Sequence, residues 1–136
     1  MAAAIRTMQI YRDEPVVQHL FRQGERLTAG IRAVAAARGL ERHLSVVGFP
    51  CNLLYATLDR EGRPSQAFRA LFLQETIRRG VLMPSLVVSY SHADRDVERT
   101  IEAVDGALEV YARALEDGVE RHLTGPPTRP VFDRRW

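Results

Sequence analysis

Hydroxyl groups and an imidazole are concentrated in one short stretch of the sequence, between a predicted strand and a predicted helix. The four side chains are Ser85, Ser89, Ser91 and His92. Each can donate and accept hydrogen bonds, so a turn that carries all four could bind and orient a polar ligand. The same residue types also cap helices, and His92 could simply donate to a backbone carbonyl. The sequence therefore permits either one wall of an active site or a well-capped turn.

The other reactive side chains have simpler structural explanations. Cys51 has no histidine near it in the sequence, which favours a buried hydrophobic role over a nucleophilic one. Arg78 and Arg79 could bind phosphate, but they also lie where a helix C-terminus attracts positive charge. The histidines lack the spacing of metal ligands, so no metal site is predicted from His19, His43, His92 and His122.

The composition is typical of one globular domain. Of the 136 residues, 46% are hydrophobic and 26% are charged, and no run approaches the roughly 20 apolar residues that cross a bilayer. Basic residues alternate with acids along the chain, so no cationic stripe for nucleic acid is predicted. A single cysteine excludes an internal disulfide, and the first residues lack the apolar stretch of a secretory signal. These features predict a cytoplasmic protein.

The basic residues share one property that limits the chemistry of this chain. All 19 are arginine, and the sequence contains no lysine. A chain without lysine has no ε-amino group with which to form a Schiff base. Chemistry that depends on such a bond therefore cannot be anchored on a side chain of these 136 residues.

Hydrophobic periodicity and turn residues predict four helices and three strands. Helices are predicted over 3–12, over 15–38, from the N-cap Ser65 to Gly80, and from the N-cap Asp94 to about 123. Strands are predicted over 45–49, 52–58 and 87–90. The acids at the start of the last helix are explained by capping and the helix dipole rather than by acid–base catalysis: Asp94, Asp96 and Glu98.

Together these elements predict an α/β fold in a single domain, residues 1–136. About three strands would form a mainly antiparallel sheet that helices cover on one face, with long helices near both ends. The domain divides into a helical region over 1–40, a sheet plus helix over 41–93, a long helix over 94–123 and an extended, proline-rich tail over 124–136.

Three stretches of the sequence resemble one region of a known enzyme family. They read EPVVQHLFRQGERLTAGI, VGFPCNLLYATLDREGRPSQAFRALFLQETIRRGVLMPS and SYSHADRDVERTIEAVDGAL. Together they resemble the C-terminal small domain of class III pyridoxal-phosphate-dependent aminotransferases, closest to the glutamate-1-semialdehyde 2,1-aminomutase branch. The resemblance extends over nearly the whole chain, from Ala2 to Trp136.

The resemblance implies the α+β small domain of a fold-type I enzyme. In that architecture a large domain binds pyridoxal phosphate and supplies its lysine, and the small domain closes over the cleft. Many class III aminotransferases carry a carboxylate-binding arginine before the turn, whereas this chain has no arginine between Arg79 and Arg95, which fits the aminomutase branch better. By this resemblance, one wall of the substrate cleft is formed by Ser85, Ser89, Ser91 and His92.

The function implied is that of one part of an enzyme. Pyridoxal phosphate belongs to the full-length parent, whose reaction would be amino-group transfer or isomerisation. We expect this chain alone to be inactive and to hold no catalytic, cofactor-binding or metal-binding residue of its own. The expected partners are the cofactor-binding large domain and further copies in a homo-oligomer, with neither nucleic acid nor membrane. A free-standing interaction or regulatory module that pairs with a separate large domain is the alternative.

Overall fold

The computed structural model describes residues 1–127, which form four α-helices and one β-hairpin. In chain order the elements are α1 Ala2–Asp13, α2 Val16–Ala37, β1 Leu44–Phe49, β2 Asn52–Thr57, α3 Gln66–Arg78 and α4 Asp94–Asp117. A short 3-10 helix, Val119–Arg121, follows α4. The four predicted helices and the first two predicted strands are confirmed. Residues 128–136 of the predicted extended tail lie outside the described residues.

The sheet has two strands, so the prediction of about three strands is wrong. β1 and β2 pair antiparallel, with Leu44 opposite Thr57 and Phe49 opposite Asn52. The predicted third strand, 87–90, is irregular chain. The segment before it approaches β2 through one isolated bridge, in which the Leu53 N–H donates to the Leu86 carbonyl at 3.3 Å.

Side chains, rather than a strand ladder, hold this segment against β2. The Tyr55 hydroxyl donates to the Met83 carbonyl at 2.7 Å, and the Arg69 guanidinium donates to the Pro84 carbonyl at 2.8 Å. Pro84 has no backbone N–H to donate to a neighbouring strand. The isolated bridge is antiparallel, so residues 87–90 run past Asn52, the first residue of β2, towards the hairpin turn, where no strand residue lies opposite them.

Within residues 1–127, helices cover one face of the hairpin and leave the other open. Leu44, Val46 and Leu53 are buried on this inner face, against α2 and α3. Residues of α4 complete the core, and four of them have no exposed surface: Val104, Ala107, Leu108 and Tyr111. The Tyr111 hydroxyl donates to the Leu58 carbonyl at 2.6 Å, which ties α4 to the end of β2.

The start of α4 differs from the predicted cap. Ala93, not Asp94, is the N-cap residue, and the Asp96 carboxylate accepts the Ala93 N–H at 2.8 Å. Asp94 is the first helical residue, and its carboxylate binds side chains of α2 instead. The helix ends at Asp117, earlier than predicted, because Gly118 adopts a φ of 100° that breaks helical geometry. The Ser65 cap of α3 is confirmed, since its hydroxyl accepts the Phe68 N–H at 3.3 Å.

Helix α2 approaches the hairpin turn so closely that a side chain is excluded at Gly24. A Cβ built there would lie 1.7 Å from the Pro50 carbonyl oxygen, which is backbone and cannot rotate away. A second glycine, Gly30, lies close to the Ile101 side chain of α4, which, unlike the Pro50 backbone, could move to admit a methyl group. These two glycines allow α2 to pack between the hairpin and α4.

We predict that Gly24→Ala destabilises the chain. In a helix free of neighbours, this change would stabilise by about 1 kcal/mol through helix propensity. Here the methyl group would force α2 away from Pro50, and overpacking of this kind should lower the free energy of unfolding by about 2 kcal/mol or more. Chemical denaturation measures the change. Gly125→Ala is the matched control, because a Cβ there meets nothing within 4 Å; an increase in stability for Gly24→Ala would contradict the close approach.

Candidate functional site

Three of the four predicted cleft residues line two different depressions of the surface, and Ser91 lines neither of them. Ser85 and His92 line a cavity of about 140 Å³ together with Asp96 and Thr100 of α4, and apolar side chains such as Leu27 form the rest of its wall. Its polar groups lie at the outer end, where residues 85 and 92 are exposed. This cavity brings together two of the four residues.

Ser89 and Ser91 lie outside that cavity. Their hydroxyls are hydrogen-bonded to each other at 2.9 Å. Ser89 also lines a more open, mostly apolar groove, of about 410 Å³, between α1 and α2, which includes Tyr11 and Tyr90. The turn therefore presents polar groups in two directions rather than around one ligand.

The histidine of the turn is oriented by the backbone. The Ser89 N–H donates to His92 Nδ1 at 3.2 Å, and the His92 carbonyl is hydrogen-bonded to His19 Nε2 at 2.9 Å. Among the described residues, no serine hydroxyl is hydrogen-bonded to the His92 ring. A serine nucleophile needs such a base within hydrogen-bond reach, and the described residues of the turn do not show this pair.

The sequence analysis assigned no contact with the turn to three residues of α2 that hold it in place: His19, Gln23 and Arg26. Gln23 donates to the Asp94 carboxylate at 2.7 Å, and Arg26 forms ion pairs with Asp94 and Glu98. The ring of His19 also stacks edge-on against Tyr90, with centroids 5.1 Å apart. The sequence did contain a signal for Gln23, because this polar residue occupies a position of the apolar stripe of α2. In the structure it is buried, with 1% of its surface exposed.

The electrostatics of this contact favour an ionised Asp94. The hydrogen bond from Gln23 is the largest cause that lowers the pKa of Asp94, and the hydrogen bond and charge of Arg26 lower it further. The effect opposes partial desolvation of the carboxylate. The start of α4 is thus attached to α2 through the Asp94 carboxylate, whose charged form these contacts stabilise.

The remaining reactive groups have structural partners. Arg78 and Arg79 both bind the buried Glu75 carboxylate, at 2.6 and 2.8 Å, so they are engaged at the end of α3. Burial raises the pKa of Glu75, but hydrogen bonds from Gln74 and Arg79 outweigh it, so the pKa is lowered overall. Cys51 lies half-buried in the hairpin turn. Within residues 1–127, no three His, Cys, Asp or Glu side chains are grouped as metal ligands, and no helix is long and apolar enough to cross a bilayer.

The residues of this chain do not fit pyridoxal phosphate as an anchored cofactor. The cofactor is held as a Schiff base with a lysine, and the sequence has none. The cavity beside His92, at about 140 Å³, is smaller than the roughly 300 Å³ at which pockets for such ligands begin. The Asp96 carboxylate in its wall would also repel a phosphate group. The groove between α1 and α2, at about 410 Å³, is large enough, but no arginine lines it to bind a phosphate group.

Comparisons with known proteins agree with the resemblance found in the sequence. No family model matches the chain. Glutamate-1-semialdehyde 2,1-aminomutase 1 of Bacillus cereus (strain G9842) is 28% identical over 118 residues, which cover 79% of this chain and 27% of that protein. Aminomutase 2 of Bacillus thuringiensis (strain Al Hakam) matches to the same extent. The solved FumI protein of Sphingopyxis sp. MTA144, in its PLP internal aldimine form, has a TM-score of 0.71 and 28% identity, covering 85% of this chain and 27% of FumI.

The resemblance to pyridoxal-phosphate aminomutases and aminotransferases is confirmed. It concerns one part of these enzymes, because the chain spans about a quarter of the length of the relatives that it matches. The similarity includes the fold, since the TM-score is that of the same overall arrangement of elements. The assignment of the four turn residues to a substrate cleft stays a prediction.

We predict that Asp94→Asn lowers stability at neutral pH and flattens its decline in acid. The pKa of Asp94 is lowered in the folded chain, so its contribution is complete above its unfolded pKa of about 3.9. This contribution is lost as the pH falls through the lower, folded pKa. Denaturation between about pH 7 and pH 3 measures the effect. Glu102→Gln, an exposed change without an ion pair to residues 1–127, is the control; identical pH profiles for Asp94→Asn and wild type would contradict the proposed contact.

Proposed function

We propose that this chain is the small domain of a pyridoxal-phosphate-dependent, aminomutase-like aminotransferase, and that it has no activity alone. The observation that carries the proposal is a match over most of this chain to only 27% of each relative, combined with the absence of lysine. The cofactor, its lysine and the reacting atoms would then belong to a large domain. The reaction of the whole enzyme would be amino-group transfer or isomerisation.

The role of this domain would be to form one wall of the substrate cleft. Ser85, Ser89, Ser91 and His92 would provide polar groups at its mouth, and the orientation of His92 by the Ser89 N–H supports this role. The contacts of α2 with the turn also support it, because a wall that is rigid before substrate arrives loses little entropy on binding. The turn residues would bind and orient substrate and exclude water, while the large domain performs the chemistry.

A cytoplasmic, oligomeric setting completes the proposal. Pyridoxal-phosphate chemistry requires no disulfides, and the lone Cys51 of this chain cannot form one internally. An oligomer would add further copies around the cleft, and the size of the native protein is the measurement that decides it.

We predict that the purified 136-residue chain does not retain pyridoxal phosphate. After mixing, dialysis should remove the visible absorbance, because no side-chain amine can hold the aldehyde. Borohydride reduction before dialysis would mark any Schiff base, and peptide mapping would separate trapping at the Met1 α-amino group from a side-chain site. No amino donor should be turned over.

Two results would overturn this prediction. One is an absorbance band that survives dialysis, and the other is turnover of an amino donor by the isolated chain. Lysozyme, a lysine-containing protein of similar size, provides the control for non-specific aldimine formation.

A further inference from the structure

The cavity between α2, α4 and the segment that follows α3 has an apolar interior. It is the cavity of about 140 Å³ whose outer end carries Ser85 and His92. Five side chains of its wall are buried residues of the core: Leu27, Met83, Leu86, Val88 and Val97. In another protein, an apolar cavity of about 150 Å³ binds benzene. The interior therefore matches, in volume, a hydrocarbon group of up to about six carbon atoms.

A second depression, of about 310 Å³, adjoins the mouth of this cavity. The residues that line both are Val81, Leu82, His92, Asp96 and Thr100. The outer depression is also lined by Arg99, whose guanidinium lies over Gly80, since a Cβ built on this glycine would come within 2.8 Å of Arg99 Nη2. The apolar cavity thus opens beside one acidic and one basic side chain of α4.

Both of these charged side chains can still bind a ligand. Asp96 Oδ2 accepts the Ala93 N–H at 2.8 Å, whereas Oδ1 lies 3.9 Å from the Arg95 guanidinium, which is beyond hydrogen-bond distance. Within residues 1–127, the Arg99 guanidinium forms no ion pair, although its neighbours on α4 do. A guanidinium of this kind can bind a carboxylate through two parallel hydrogen bonds.

Two uncharged groups at the same mouth add hydrogen bonds of opposite sense. His92 Nδ1 accepts the Ser89 N–H at 3.2 Å, so the neutral ring carries its proton on Nε2, which can donate to a ligand. The Thr100 hydroxyl already donates to the Asp96 carbonyl at 2.7 Å, so its oxygen can only accept. The mouth therefore offers donors to an anionic group and acceptors to a cationic one.

We propose that this cavity is a binding site for a free α-amino acid with a short aliphatic side chain. The side chain fills the apolar interior, Asp96 and Thr100 accept from the ammonium group, and Arg99 and His92 donate to the carboxylate. A ligand with a single charge would leave one of the two opposite charges at the mouth without a partner.

The site goes beyond the proposed function and does not depend on it. The ammonium group of the bound amino acid is held by Asp96, so this molecule is a ligand of the domain and not the reacting substrate. Ser85 and His92 border the site as well as the proposed cleft. An amino acid bound here would therefore contact the turn before α4 directly.

Nuclear magnetic resonance titration of the ¹⁵N-labelled 136-residue chain tests the site. The probes are L-valine, L-leucine, L-isoleucine and L-methionine, with glycine and L-tryptophan as controls for size. We expect saturable shifts of the amide signals of Val81, Val88 and Thr100 with the aliphatic amino acids. Glycine should bind at least about tenfold more weakly, because it leaves the apolar interior empty. Tryptophan should not bind there, because its indole is larger than benzene.

Two analogues and a pair of variants test the two charges separately. 3-Methylbutylamine and 4-methylpentanoate keep the hydrocarbon group of leucine with one charge each, and each should bind at least about tenfold more weakly than leucine. Arg99→Gln should weaken leucine binding by a similar factor and keep the unfolding midpoint of the wild type. Arg113→Gln, which removes the same charge from an exposed position of α4 outside the cavity, is the matched control and should leave the affinity unchanged.

Three results would overturn the inference. Equal affinities for glycine and leucine would show that the interior does not hold the side chain. Unchanged leucine binding by Arg99→Gln would show that this arginine does not bind the carboxylate. The absence of saturable shifts with all four aliphatic amino acids, up to the limit of their solubility, would exclude the site as a whole. Each of these results would leave the proposed function in place, since they concern the isolated chain and not the cofactor.

Discussion

The packing of α4 against α2 and α3 is the constraint on which the structure depends. This helix contacts both α2 and α3, and its most buried side chains form the centre of the core. Tyr111 shows why the arrangement is specific. Its ring packs on Phe68 with centroids 4.6 Å apart, and its hydroxyl donates to the Leu58 carbonyl. A buried phenol must find an acceptor, so the depth and rotation of α4 relative to β2 are determined together.

The core lies against one face of the hairpin, which explains why the other face carries exposed apolar side chains. The helices bury Leu44, Val46 and Leu53 on the inner face of the hairpin, whereas nothing in residues 1–127 covers the opposite face. A two-stranded sheet gains stability only on the face against which helices pack. The apolar side chains on the other face, Val47, Phe49 and Leu54, stay exposed in the described part of the chain.

The turn before α4 combines local and distant contacts. Asp96 caps the helix within three residues, while Asp94 is held by Gln23 and Arg26 from α2. Because Asp96 caps the helix and Asp94 binds α2, neither the serines nor His92 caps α4. The turn is thus fixed at both ends by side-chain contacts, which is what the proposed role as a wall of the substrate cleft requires.

The sequence by itself determined the features that depend on neighbouring residues or on composition. The Ser65 cap, the apolar stripe of α4 and the absence of a lysine for a Schiff base could all be predicted from it, as could the family resemblance. Tertiary structure alone decided that residues 87–90 form no strand, that Tyr55 and Arg69 bind the segment before them, and that the turn is held by α2 from about 70 residues away. The physical reason is range: caps and periodicity act within a few residues, whereas these hydrogen bonds exist only after packing has brought distant segments together.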